Sequence, residues 1–194
     1  ERPVTYDLAW QAEESNRFGT DEFVDYCRII GAEPYITVPA GSSEEAAHWV
    51  EYCNRKGNSY FAKLRDVNGH PEPHDVKYWS IGNEEWGDPD YPEKCRQTAR
   101  LMKKVDPNIK LTAVGSWSMD WNLEVLKKAG DFIDYLSAHR YYYHGSEVEE
   151  KDYYGLLACP IFSERKLNEF VKLIDVAKSF LRTEKDIKIS MDEW

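Results

Sequence analysis

Tyr78-Trp79-Ser80-Ile81-Gly82-Asn83-Glu84-Glu85-Trp86-Gly87 is an apolar run that stops at a glycine and presents a carboxylate beside a tryptophan. The same pattern recurs at Ile187-Lys188-Ile189-Ser190-Met191-Asp192-Glu193-Trp194. Each run reads as a buried strand with a glutamate at its C-terminal end. Three further strand-like runs stand at Pro34 to Val38, Leu111 to Gly115 and Tyr135 to Arg140. Helical patterns separate them, and such alternation predicts an α/β fold with a parallel sheet. A doubly wound sheet would suit five strands, but its glycine-rich phosphate loop is missing. In a (β/α)8 TIM barrel, catalytic groups sit at the C-terminal ends of strands, which is where both glutamates fall. A closed barrel takes roughly 250 residues, and this chain has 194. The expectation is therefore an incomplete TIM barrel.

The connecting segments carry their own signals. A helix is expected from about Asp21 to Ile30, with Thr20 as N-cap, Gly31 past its end, and Phe23, Tyr26, Cys27 and Ile30 on one face. A second begins at the capping box Ser42-x-x-Glu45 and ends at Gly57. Residues 57–75 are polar and turn-rich and read as a long loop. Pro92 suits the first turn of a helix running to about Val105, and a short helix is expected around Leu123 to Ala129. Leu167, Phe170, Val171, Ile174, Ala177 and Leu181 form the clearest amphipathic stripe, a core-packing face. There is no internal repeat.

Composition narrows the partners. The net charge is -10 with no basic block, which disfavours nucleic acid and anionic membranes. No apolar span of about 18 residues predicts a membrane helix. The 13 tyrosines and 7 tryptophans suit sugar rings, whose C–H faces lie on flat side chains, and equally suit a large core. Cys27, Cys53, Cys95 and Cys159 fit no metal spacing, and buried free thiols are the reading for the first three. His48, His70, His74 and His144 likewise show no metal pattern.

Two carboxylates at strand ends, with aromatics beside them, are what glycosidic cleavage requires: one protonates the leaving oxygen and the other attacks the anomeric carbon. The acid must hold a proton near neutral pH, which burial and a second carboxylate nearby both favour. The nucleophile must stay ionised, so it needs donors around it. Retention of configuration places the two about 5 Å apart.

An ordered series of motifs adds a family resemblance. It runs through Asp7-Leu8-Ala9-Trp10, Asn16-x-Phe18-Gly19-Thr20-Asp21-Glu22-Phe23, Gly31-Ala32-Glu33-Pro34-Tyr35 and Trp49-Val50-Glu51-Tyr52-Cys53-Asn54. It continues through Asn68-Gly69-His70-Pro71-Glu72-Pro73, Gly82-Asn83-Glu84, Ser137-Ala138-His139 with Tyr141, and Asp192-Glu193-Trp194. This series resembles the family 51 glycoside hydrolases, retaining α-L-arabinofuranosidases with (β/α)8 barrels. The resemblance implies Glu84 as acid/base, in preference to Glu85, and Glu193 as nucleophile, on strands four and seven. It implies Asn83 as donor to the sugar 2-hydroxyl, His139 and Tyr141 as a strand-six pair beside the nucleophile, and a phenol that donates to Glu193. Trp86 and Trp194 are candidate walls of the sugar site, and Tyr141-Tyr142-Tyr143 and Tyr153-Tyr154 candidate aglycone contacts. No metal or organic cofactor is implied. The substrates would be arabinoxylan, arabinan or their oligosaccharides, and the enzyme a cytoplasmic homo-oligomer, often a hexamer.

Two departures stand out. Pro39 occupies a position where many relatives carry Asn. The chain, residues 1–194, also reads as a partial barrel of about strands 3 to 7, truncated at both ends and without the family's C-terminal β-sandwich. Such a piece alone is expected to fold poorly. The rival readings are an endo-glucanase or xylanase of the same clan, and a non-catalytic carbohydrate-binding remnant.

Overall fold

A computed structural model of the chain describes residues 2–142, 152–182 and 185–194. A small antiparallel ribbon opens it, β1 (Thr5–Asp7) with β2 (Ala12–Glu14). Helix α1 (Thr20–Ile30) then leads to strand β3 (Tyr35–Val38). Two helices, α2 (Ser43–Asn54) and α3 (Tyr60–Val67), precede β4 (Tyr78–Ile81). Helix α4 (Tyr91–Val105) connects to β5 (Lys110–Ala113), and α5 (Met119–Ala129) to β6 (Tyr135–His139). The long α6 (Tyr153–Leu181) returns to β7 (Lys188–Glu193). Strands β3 to β7 form one sheet in sequence order, all neighbours parallel. The predicted α/β class with a parallel sheet is what the chain adopts.

The two faces of the sheet differ sharply. Ile36, Val38, Trp79, Ile81, Leu111, Ala113, Leu136 and Ala138 are buried in the hydrophobic core. On that side they meet Val50, Cys53, Cys95, Ala99, Met102, Val125, Leu126, Phe170 and Ile174 of the helices. The alternate positions are hydroxyl-rich: Tyr35, Tyr78, Thr112, Tyr135 and Ser190 line a cavity of about 240 Å³. Period-two alternation gives one face to the core and the other to a polar interior.

At the C-terminal ends of β4 and β5 the strands separate, and Tyr91 spans the gap. Its hydroxyl donates to the Ile81 carbonyl at 2.8 Å and accepts from the Val114 amide at 2.6 Å. The phenol is fully buried, and burial pushes its pKa well above the usual value. Gly115 follows at the next crossing, where a Cβ would lie 1.9 Å from the Ser137 carbonyl oxygen. Only glycine permits that approach.

Several sequence expectations need correction. Gly19, not Thr20, caps α1: the Glu22 carboxylate accepts from the Gly19 amide at 2.8 Å. Gly31 does close the helix in the left-handed region (φ 72°). Ser42 precedes α2 but makes no side-chain cap, because its backbone (φ -116°, ψ 61°) lies outside capping geometry. That helix ends at Asn54, short of Gly57, where the Asn54 amide group pairs with both Val76 backbone groups. The expected loop of residues 57–75 contains α3. Its anchor is Arg65, fully buried and donating to the carbonyls of Tyr52, Arg55, His70 and Pro71. A charged residue gave that turn the look of a loop, yet four carbonyls satisfy its donors. Strand β4 stops at Ile81 rather than Asn83. In α6 the stripe is narrower than predicted, since Val171 is 48% exposed while Phe170, Ile174 and Ala177 are buried. All four cysteines are buried free thiols. Tyr143 and His144 lie outside the described residues.

Tyr91→Phe removes a bridge between two buried backbone groups and leaves both unpaired. It is expected to cost about 1–3 kcal/mol in urea unfolding, whereas Gly115→Ala, which drives a Cβ into backbone, should cost more.

Candidate active site

The turn after β4 is shaped by one glycine. Gly82 takes φ 78° while its amide donates to the Val38 carbonyl at 2.7 Å, tying the turn to β3. Glu85 then folds back: its Cγ lies 2.8 Å from where a Cβ on Gly82 would sit, with the Tyr91 ring at 3.2 Å from the same point. Glu84 itself takes φ 51°, left-handed and uncommon for a non-glycine residue. The Trp86 amide closes the turn on the Glu84 carbonyl at 2.7 Å. So of the two adjacent glutamates, Glu85 is committed to packing beside Gly82, and Glu84 reaches toward β6.

Strand β7 contains the second device. Ser137 pairs with Ser190, but His139 pairs with Glu193, so two steps on β6 face three on β7. This bulge breaks the alternation that would send Asp192 and Glu193 to opposite faces. Both carboxylates then approach one imidazole. Asp192 Oδ1 lies 3.2 Å from His139 Nε2, and Glu193 Oε2 lies 3.6 Å from Nδ1. Glu84 Oε1 reaches the same Nδ1 at 3.1 Å.

The resulting cluster is small. One oxygen each from Glu84 and Glu193 and a nitrogen of His139 all lie within 4.8 Å of one another. Tyr141 Oη donates to Glu193 Oε2 at 2.6 Å, the contact expected of a strand-six phenol. The His139 side chain is only 5% exposed. Trp86 stands edge-on to the His139 ring with centroids 6.1 Å apart, and its indole N–H donates to the Gly115 carbonyl at 2.8 Å. Trp117 donates to the His139 carbonyl at 2.6 Å, which fixes the end of β6. The trio could also share a cation, although the hydrogen bonds within it account for its closeness.

Not every expectation is met. Glu84 is not buried; its side chain is 37% exposed, because it stands on a turn above the sheet. Asn83 is exposed next to it. Trp194 is 79% exposed and lies apart from the cluster, on a groove of about 720 Å³ that Arg140, Tyr142, Met191 and α6 also line. Arg140 there sits over the rings of Trp117 and Tyr142 at 5.7 and 5.0 Å. Tyr153 and Tyr154 are exposed at the start of α6.

Sequence reading missed one layer. Tyr35 Oη donates to Asp192 Oδ2 at 3.0 Å, joining β3 to β7 across the polar face. Burial pushes the Tyr35 phenol up to about 12, so it remains a donor through neutral and mildly alkaline pH. Asp192 was visible beside Glu193, but its partner lies 157 residues away.

A parallel α/β array with two close carboxylates at strand ends is an arrangement that barrel glycosidases use. The profile of the α-L-arabinofuranosidase 1 domain family matches residues 1–156, and the chain belongs to that family, within family 51 of the glycoside hydrolases. An intracellular exo-α-(1→5)-L-arabinofuranosidase from Halalkalibacterium halodurans is 35% identical over all of this chain and 41% of its own length. The arabinose complex of an α-L-arabinofuranosidase from Thermotoga maritima superposes with a TM-score of 0.88 at 45% identity. The thermostable family 51 enzyme from Thermotoga petrophila gives the same TM-score and identity. This chain is covered completely in both comparisons and spans 41% of each of those structures.

Gly82→Ala forces a Cβ into the left-handed region and against Glu85 and Tyr91. It is expected to lose about 1–3 kcal/mol in urea unfolding. Gly87→Ala, also at positive φ but with open space around it, should lose only the strain, about 1 kcal/mol.

Proposed function

We propose that the protein is a retaining exo-glycoside hydrolase that releases terminal α-L-arabinofuranosyl residues from arabinoxylan, arabinan or their oligosaccharides. The observation that carries this reading is the 4.8 Å limit on the Glu84–His139–Glu193 cluster. Retaining enzymes hold their carboxyl groups about 5–5.5 Å apart, whereas inverting enzymes leave about 6.5–9.5 Å for a water. Family membership and the names of the relatives supply the sugar.

In the first step a Glu193 oxygen attacks the anomeric carbon while the bond to the leaving oxygen breaks. Glu84 delivers its proton to that oxygen. In the second, water attacks the same carbon from the opposite side, its proton passes to Glu84, and the ester to Glu193 breaks. Two inversions give net retention. Tyr141 donates to the Glu193 carboxylate and holds its orientation for attack. Asn83, beside the acid, meets the sugar 2-hydroxyl. Trp86 walls the site where it packs on His139. No metal or organic cofactor takes part in these steps.

The location follows the relatives named intracellular. We read the protein as cytoplasmic and, by the same family likeness, as a homo-oligomer, a hexamer.

The test is release of nitrophenol from 4-nitrophenyl α-L-arabinofuranoside by the complete gene product. Glu193→Ala should abolish turnover. Glu84→Ala should retain activity toward aryl glycosides with good leaving groups and gain rate when azide replaces the water that Glu84 would activate. A folded wild-type protein with no turnover would remove the arabinofuranosidase reading.

A further inference from the structure

Glu84 has to be held where it stands. Its side chain is 37% exposed, so packing does not fix it. Its backbone takes φ 51°, a conformation that a non-glycine residue keeps only where its neighbours impose it. The Trp86 amide closes the turn on the Glu84 carbonyl at 2.7 Å. The Trp86 indole N–H then donates at 2.8 Å to the carbonyl of Gly115, on the segment after β5. Gly115 is fixed in its turn. Its amide donates to Ser137 Oγ at 3.1 Å, and it lies so close to the Ser137 carbonyl that no Cβ would fit. Ser137 stands two residues before His139 on β6, and His139 Nδ1 is hydrogen-bonded to Glu84 Oε1 at 3.1 Å. The contacts form a closed circuit from Ser137 through Gly115, Trp86 and Glu84 to His139, and back along β6.

We propose that Trp86 is a positioning residue for the acid/base step, its indole N–H anchoring the Glu84 turn to the β5–β6 crossing. Gly82 ties the near end of the turn to β3, and Trp86 pins the far end, with Glu84 between them. Without the second pin the turn pivots about Gly82, and Glu84 is free to swing toward solvent. Proton transfer needs the acid within hydrogen-bond reach of the leaving oxygen, and a small misplacement costs much of the rate. This role differs from walling the sugar: a wall needs only a ring, whereas the anchor needs the N–H.

This inference rests on the reading of Glu84 as acid/base, and the experiment separates the two. The complete gene product is assayed with phenyl and 2,4-dinitrophenyl α-L-arabinofuranosides, the first needing protonation of its leaving group and the second not. Trp86→Phe keeps an aromatic ring beside His139 and removes the donor. Its kcat/KM for the phenyl substrate should fall at least about tenfold further than that for the dinitrophenyl substrate. Azide should raise its kcat on the dinitrophenyl substrate, as expected for Glu84→Ala, and leave the wild type unchanged. If Trp86→Phe does not fold, benzothienylalanine in place of Trp86, which keeps the bicyclic shape with sulfur for N–H, carries the same expectation. Equal losses on both substrates, or none, would make Trp86 a wall only and overturn the proposal. Glu84→Ala without the leaving-group bias, or wild-type protein that turns over neither substrate, would instead overturn the functional reading beneath it.

Discussion

Everything in the site depends on one imidazole meeting three carboxylates. His139 stands at the end of β6, with Asp192 on one nitrogen and Glu84 and Glu193 on the other. Two ionised carboxylates with oxygens within 4.8 Å of each other would repel by about 3 kcal/mol or more at an effective dielectric of about 20, and by less where water reaches Glu84. The hydrogen bonds between Glu84 and His139 and from Tyr141 to Glu193 offset that repulsion. This close pair of glutamates is a charge problem that the fold meets with hydrogen bonds. Its neighbours Trp117 and Trp86 fix the backbone carbonyls of His139 and Gly115, so the imidazole has little freedom to leave.

The fold supplies this meeting by departing from regular geometry at three strand ends. Gly82 leaves the strand conformation after β4, a bulge adds a residue to β7, and Gly115 lets β5 approach β6. Tyr91 restores the hydrogen bonds that the separation of β4 and β5 would otherwise lose. Regular strands below and irregular ends above divide the labour. The lower parts bury the apolar residues that stabilise the sheet, and the upper parts aim side chains. Arg65 belongs to the stabilising half, since it ties four carbonyls of the α2–α3 region together far from any carboxylate chemistry.

The sheet was legible because each strand is a short apolar or aromatic run whose helix-facing residues alternate with hydroxyl-bearing ones, as in Tyr78-Trp79-Ser80-Ile81. Helix α3 was not, because its buried anchor is an arginine and sequence reading places charge outside. Nor was the β1–β2 ribbon, whose residues are mostly exposed and carry no core pattern. Glu84, Glu193, His139 and Tyr141 were legible from motif order, and the structure brings these four together. Asn83 and Trp194 remain exposed at the margin. Asp192 and Tyr35 escaped because a bulge has no periodic signature and their contact spans the whole sheet.

The most direct test is the anomeric configuration of the first arabinose formed, followed by proton NMR before mutarotation, with the complete gene product and an aryl α-L-arabinofuranoside. Two carboxylates this close predict α-arabinofuranose as the initial product, converting to other forms only later. Initial formation of the β-anomer would mean single displacement by water and would contradict the assignment of Glu193 as nucleophile.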